Sequence, residues 1–220
     1  MGWDLSNFQK ISRSKGLPDS SVYCKALFYK YSKALILTDK YKETWKNFWA
    51  SYSQISNEQP YLNAFIQAQL ESETYIEASL QNLHSIADIL CQIINVVLFR
   101  STLHEAKVDV RTTIQELNNR NLDRVKIALE NLCNSHEFKY ISAFVNTIKH
   151  RRLLDTDYHG EFGLGMANNM DIRFEAFTYD KPNKPIESYP VILASTIIEE
   201  YMPNIQALID SLGMAIEESI

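Results

Sequence analysis

The chain has 220 residues, of which 45% are hydrophobic and 22% charged, and these values are typical of a folded domain with a sizeable core. Its formal net charge of −5 excludes the overall positive field that draws proteins to DNA, so no DNA partner is predicted. Only six glycines and six prolines occur, and this scarcity favours long helices over a turn-rich β fold.

The cysteines and the apolar segments indicate the compartment. Cys24, Cys91 and Cys133 are odd in number and show no CxxC or paired metal spacing, which favours a reducing compartment. The N-terminal residues lack the charged and then apolar layout of a signal peptide. The most apolar window, residues 86–99, is too short and too polar to span a bilayer. We therefore expect a cytoplasmic protein with no membrane partner.

The first predicted elements are an irregular segment over residues 1–18 and a long helix. An Asp-Ser-Ser sequence supplies the N-cap of that helix, which is predicted from Val22 to about Ser53. The β-branched residues within 35–38 are a point at which it could break. The helix is rich in aromatic residues and lysines, a composition found in some nucleic-acid contacts. We favour the simpler interpretation, in which the aromatics pack inward and the lysines face solvent.

A helix over residues 61–99, free of glycine and proline, is predicted as the central element. Apolar residues recur along it in steps of three and four, which is the pattern of a bundle seam. Shorter helices are predicted at 110–118, 122–133 and 137–151, separated by turns rich in asparagine.

The pattern changes after these helices. Apolar and polar residues alternate over 171–179, and three glycines lie between 160 and 165, so a β-hairpin is predicted there. A last helix is predicted from 191 to 218, with a kink at Pro203.

Together these elements predict a mainly α fold. We expect an up-and-down helical bundle with one long central helix, to which a small β-hairpin at about 153–179 is appended. No internal repeat and no low-complexity tract divides the chain, so a single domain over residues 1–220 is predicted.

A basic stretch at the end of the last short helix is the most informative feature for function. Asn146 and His150 are four residues apart, so on a helix they share a face and can reach one ligand. Lys149, Arg151 and Arg152 surround the imidazole with positive charge and suit a phosphate group. The alternative is a basic helix end that interacts only with its own dipole and exposed carbonyls.

A polar stripe follows the predicted central helix. Its members are Glu77, Gln81, His84, Asp88, Gln92 and Asn95. Buried polar groups without partners are costly, so these side chains must pair or face a cavity. In one interpretation the first four line the same cleft as Asn146 and His150, with Asp88 orienting the His84 imidazole. In the other, the stripe is the solvated side of the helix.

No metal site and no cofactor are predicted. The five histidines show no HxxxH, HExxH or ExxH spacing. A phosphate loop lies between a strand and the helix that follows it. The glycines between 160 and 165 do not have this setting, so they are not predicted to form such a loop.

A helical bundle in which a helix ends with Asn-x-x-x-His resembles the HEPN superfamily (higher eukaryotes and prokaryotes nucleotide-binding domains). The superfamily motif is an arginine, usually followed by a polar residue such as Asn, with a histidine several residues later. Asn146 and His150 match the second and last positions, and Val145 stands where the arginine is expected. Within the superfamily, the chain is most similar to bacterial members with an Asn-x-x-Lys-His-Arg string. The resemblance covers the helices from 61 to 151.

The resemblance implies a protein that binds RNA or a nucleotide, often as a homodimer. Active members are metal-independent endoribonucleases, and in that case His150 is the catalytic acid or base and Asn146 its orienting neighbour. Lys149, Arg151 and Arg152 are then the phosphate ligands, with one of the arginines replacing the absent motif arginine. The competing function is a non-enzymatic helical protein-interaction module. The sequence leaves open whether the protein is an enzyme.

Overall fold

A computed structural model describes residues 2–52, 58–150, 153–160, 170–180 and 185–220. Helices make up most of these residues, and short strands occur only after residue 155 within them. The predicted mainly α fold with a small appended β region is therefore confirmed. No helix in these ranges has the length and the apolar character that crossing a membrane requires.

The helices follow the sequence pattern over most of the chain. They are α1 (Leu5–Ser14), α2 (Ser21–Tyr52), α3 (Glu58–His84), α4 (Ile86–Val97), α5 (Val110–Asn119), α6 (Asp123–Asn134), α7 (His136–His150), α8 (Ala194–Thr196) and α9 (Met202–Glu218). Helices α2, α5, α6 and α7 lie within two residues of the predicted bounds. The predicted irregular start was wrong, because α1 forms there and the Asp4 side chain caps it by accepting from the backbone N–H of Asn7 at 2.9 Å.

The predicted central helix is divided at Ser85 into α3 and α4. The Ser85 hydroxyl donates to the carbonyl of Asn82 at 2.8 Å, so it competes with the backbone ladder at this point. The β-branched residues of α2 have no such effect. Thr38 makes the same kind of bond, to the carbonyl of Leu35 at 2.8 Å, yet α2 continues through it.

The β region is larger than predicted. Its strands are β1 (Thr156–Gly160), β2 (Met170–Phe174), β3 (Phe177–Tyr179), β4 (Glu187–Tyr189) and β5 (Ile192–Leu193). The first sheet has the antiparallel order β1-β2-β5, with Thr156 opposite Phe174 in the predicted hairpin, and β3 pairs with β4 in a second sheet.

The predicted start of the last helix, near residue 191, was wrong. Ile192 and Leu193 pair with β2, and the helix begins at Ala194. A π-helical turn, Ile197–Tyr201, then precedes α9, which carries Pro203 in its first turn. Because proline lacks a backbone N–H, the regular helical ladder loses a donor there, and a π turn is one way to absorb that loss.

Two compact units make up the chain. Unit 1 contains residues 1–32, 82–139 and 201–220, and unit 2 contains residues 33–81 and 140–200. The prediction of a single domain stays a prediction.

In unit 1 the N-terminal segment is fastened to α9. The Trp3 backbone N–H donates to Asp210 at 2.7 Å, and the Trp3 indole N–H donates to Glu217 at 2.9 Å. The Trp3 ring also lies 4.9 Å from that of Phe8, centroid to centroid. Helix α6 packs along α9 in the same unit.

Aromatic side chains form much of the core of unit 2. The Phe144 ring of α7 meets that of Phe174 edge-on at 5.0 Å, and Tyr140 meets Phe177 at 5.6 Å. Phe177 in turn stacks on Tyr189 at 5.1 Å. Pairs of this kind add stability beyond the area they bury, so they hold the strands of unit 2 against α7.

Candidate functional site

The predicted anion site lies at the C-terminal end of α7. Lys149 and His150 are both exposed, whereas Phe144 and Thr147 on the preceding turns are buried. The helix therefore carries a packed face up to its last turn and presents two nitrogen-bearing side chains to solvent beyond it. Arg151 and Arg152 lie outside the described residues.

Asn146 is half-buried and bonds to its own helix. Its amide nitrogen donates to the carbonyl of Ser142 at 2.7 Å and lies 3.5 Å from the Ser142 hydroxyl. This bond holds the amide against the backbone of the preceding turn. Asn146 and His150 still share one side of α7, as the four-residue spacing predicts. The orienting role of Asn146 stays a prediction.

Val145, at the position where the HEPN motif has arginine, has no exposed surface. A side chain at this point of α7 enters the core of unit 2 and cannot meet a ligand in solvent. An unpaired guanidinium there would be costly, so valine suits the position. Any arginine for this site has to come from another part of the chain or from a second copy.

The polar stripe does not run along one helix. Glu77 and Gln81 are half-buried residues of α3 in unit 2, whereas His84 and Asp88 belong to unit 1 and flank the division at Ser85. His84 is half-buried and Asp88 is exposed. That these four residues line one cleft with His150 stays a prediction.

The last two residues of the stripe, Gln92 and Asn95, form hydrogen bonds with the backbone of the segment that follows α4. Asn95 is buried, donates to the carbonyl of Leu103 at 3.0 Å and accepts from the Leu103 N–H at 3.2 Å. Gln92 donates to the carbonyl of Glu105 at 3.0 Å. These bonds fasten the segment after α4 and give Gln92 and Asn95 a structural role.

Glu77 lies near a second carboxylate in unit 2. Burial, reinforced by the negative charge of Glu73, raises the pKa of the Glu77 carboxyl above its ordinary value. Glu73 itself accepts hydrogen bonds from the Thr156 hydroxyl at 2.5 Å and from the Tyr158 hydroxyl. Glu73 thus joins α3 to β1, while Glu77 remains a carboxylate that is costly to ionise.

Replacement of Glu77 by glutamine is expected to stabilise the protein at neutral pH. A carboxyl whose pKa is higher in the folded state loses stability as pH rises through that pKa, and glutamine removes the loss. Since Glu77 is only half-buried, solvent screening limits the gain in unfolding free energy to about 0.5 kcal/mol. Urea unfolding at about pH 4 and pH 7.5 measures it. The gain should vanish at the lower pH, and the exposed Glu200→Gln change should be neutral at both.

A cleft of about 670 Å³ in unit 2 was not predicted from the sequence, and we call it the α2 cleft. One wall is formed by α2, and the other by the start of β2 and the residues that follow β5. Its lining residues are Tyr41, Lys42, Trp45, Lys46, Trp49, Met170, Asp171, Ser195, Ile198 and Glu199. The volume is within the usual range for small-molecule sites.

The α2 wall combines aromatic and basic side chains at helical spacing. Tyr41, Trp45 and Trp49 follow one another at intervals of four residues, and Lys42 and Lys46 form a neighbouring row with the same interval. The prediction that aromatics of this helix pack inward and its lysines face solvent is confirmed at the cleft, where Tyr41 and Trp45 are buried and both lysines exposed. It was wrong for Phe28 and Tyr29 near the start of α2, which are exposed. These two adjacent rows are the sequence pattern from which the α2 wall of the cleft could have been predicted.

Asp171 connects the two walls of the cleft. It accepts a hydrogen bond from the Tyr41 hydroxyl at 2.6 Å, and the Ser195 N–H lies 3.2 Å from each of its carboxylate oxygens. The Tyr41 hydroxyl also accepts from the Ile172 N–H at 3.3 Å. Burial and the Asp171 charge raise the pKa of Tyr41, so its hydroxyl stays protonated and remains a donor.

Comparison of the chain with models of protein families, with curated proteins and with solved structures found no match. Among the residues that the structure describes, no group of three or more histidine, cysteine, aspartate or glutamate side chains is placed to hold a metal ion.

Proposed function

We propose that this chain is a HEPN-like bacterial protein of the cytoplasm that binds RNA or a nucleotide at the end of α7. The observation that carries the proposal is the exposure of Lys149 and His150 on the last turn of a helix that is otherwise largely packed. An accessible ammonium group beside an accessible imidazole can meet a phosphate oxygen and a ribose hydroxyl of the same nucleotide.

The proposed activity is metal-independent cleavage of RNA. His150, as a base, takes the proton of a ribose 2′-hydroxyl, whose oxygen then attacks the neighbouring phosphorus and displaces the 5′-oxygen of the next nucleotide. Lys149, with Arg151 or Arg152, stabilises the charge that develops on the phosphate oxygens. A homodimer that joins two such helix ends would supply a second histidine to protonate the leaving 5′-oxygen.

His150→Ala is expected to lower the rate of RNA cleavage by about 10²- to 10⁴-fold, because it removes the proposed acid or base. Initial rates on a fluorescent single-stranded RNA, with EDTA present, measure the loss. The matched control is His104→Ala, which replaces an exposed histidine of unit 1 and should leave the rate unchanged. Equal rates for wild type and His150→Ala would contradict the catalytic role.

Lys149→Ala is expected to weaken the binding of all RNA sequences to a similar extent, because a phosphate contact does not depend on the base. Loss of one phosphate contact should reduce the slope of log K against log salt concentration by about 0.7 for a single strand. Fluorescence polarisation at several salt concentrations measures the slope. An unchanged slope would remove Lys149 from the proposed phosphate ligands.

The second candidate function is a non-enzymatic protein-interaction module. It is favoured by an exposed aliphatic row on α3, formed by Leu62, Ile66 and Leu70 at intervals of four residues. In this case wild type should show no RNA binding in a thermal-shift assay. RNA binding that His150→Ala or Lys149→Ala weakens would exclude this second function as the only one.

A further inference from the structure

We infer that the α2 cleft is a binding site for a mononucleotide, separate from the helix end that carries His150. The two sites share no residue, so either can exist without the other. The inference comes from the lining of the cleft and from one buried donor.

The cleft contains groups for each part of a nucleotide. Trp49 is half-buried and lines the cleft, so its indole can stack on a base. Lys42 and Lys46 are exposed, and within the described part of the chain neither forms an ion pair. Two ammonium groups one helical turn apart, without a carboxylate partner there, suit a phosphate group.

The opposite wall offers acceptors for the edge of a base. Both oxygens of Asp171 already accept from Tyr41 or Ser195, yet a carboxylate oxygen has room for a further donor. Glu199 is exposed and lines the same cleft. Amino groups of adenine, cytosine and guanine are donors of the kind that carboxylates accept. The cleft therefore favours a ligand that has hydrogen-bond donors at one end, for the carboxylates, and an anionic group at the other end, for the lysines.

Trp45 supplies an independent indication of a ligand. Its side chain is 4% exposed, and its indole N–H has no hydrogen-bond partner in the part of the chain that the structure describes. A buried donor without a partner is costly, and because Trp45 lines the cleft, a ligand there that brings an acceptor would recover the cost. A phosphate oxygen or a base carbonyl would meet this requirement.

The test is titration of the full chain with AMP, GMP, CMP and UMP, followed by tryptophan fluorescence and calorimetry. Adenosine, guanosine and inorganic phosphate are the partial probes. We expect saturable binding of at least one mononucleotide, with each partial probe at least tenfold weaker. Saturation by none of the four mononucleotides would overturn the inference, and so would phosphate binding as tightly as the best mononucleotide.

Variants locate the binding. Lys42→Glu and Trp49→Ala should each weaken the best mononucleotide at least tenfold, while Trp49→Phe retains most of the affinity. Lys33→Glu, on the exposed side of the same helix and outside the cleft, is the matched control and should leave affinity unchanged. Lys42 is exposed, so its variant tests the site even where a tryptophan variant unfolds.

His150→Ala separates this inference from the proposed function. Unchanged mononucleotide affinity in that variant supports the α2 cleft, whatever the outcome of the RNA cleavage assay. Loss of mononucleotide binding in His150→Ala with full binding in Lys42→Glu would overturn the cleft and assign the nucleotide to the end of α7.

Discussion

Gly213→Ala is expected to destabilise the protein by about 2–4 kcal/mol, although alanine is the better helix former. Gly213 lies within α9, and a methyl group there would lie 2.6 Å from Cε3 of the Trp3 ring and closer still to its Cγ and Cδ2. Trp3 cannot move aside easily, because Asp210 and Glu217 hold its backbone and indole N–H groups. The steric cost exceeds the helix-propensity gain of about 1 kcal/mol.

Urea unfolding measures this effect, with Ser211→Ala as the control. Ser211 is an exposed residue of the same helix, where alanine should be neutral or slightly stabilising. In the background of Trp3→Ala, the added Gly213→Ala change should also be neutral or stabilising, because the ring that it meets is gone. A Gly213→Ala single variant as stable as wild type would show that Trp3 does not pack on α9 as described.

Asp171→Ala is expected to lower the unfolding free energy by about 2–4 kcal/mol. The carboxylate accepts from the Tyr41 hydroxyl and from the Ser195 N–H, and hydrogen bonds to a charged group contribute about 1.5–3 kcal/mol each. Tyr41 is 5% exposed, so water cannot readily replace the lost acceptor. The substitution leaves a buried hydroxyl without its acceptor and loosens the joint between α2, β2 and α8.

A double-mutant cycle with Tyr41→Phe isolates the Tyr41–Asp171 bond. The hydroxyl that loses its acceptor in Asp171→Ala is absent from the double variant, so the two changes together should cost clearly less than the sum of the singles. Arg173→Ala is the comparison on the same strand, because the Arg173 ion pairs are partly exposed and should contribute about 1 kcal/mol or less. Strict additivity of Tyr41→Phe and Asp171→Ala would show that the bond contributes little.

Elements governed by neighbouring residues were predictable from the sequence. The bounds of α2, α5, α6 and α7 follow from apolar spacing and from the capping and turn residues between them. The β1–β2 hairpin follows from alternation of apolar and polar residues up to Phe174. The predicted alternation over the rest of 171–179 was wrong, because Phe177–Tyr179 forms β3 of the second sheet.

Other features depended on partners distant in the chain. Ile192 and Leu193 were predicted to lie at the start of a helix. They form β5 instead, because their backbone groups can pair with those of β2. The local hydroxyl bond of Ser85 accompanies a break in the helix, whereas the similar bond of Thr38 does not. The presence of a serine or threonine therefore does not by itself predict whether a helix breaks or continues at that residue.

By itself, then, the amino-acid sequence determined the mainly α class, most helix bounds and the charged end of α7, because these depend on periodicity and caps within a few residues. Only the tertiary structure decided the α2 cleft, since Tyr41 and Asp171 are far apart in sequence and meet through a hydrogen bond of 2.6 Å. It also decided the packing of Trp3 against Gly213. The physical reason is that spacing specifies which side of a helix a residue occupies, whereas the element that covers this side is selected by packing of the whole unit.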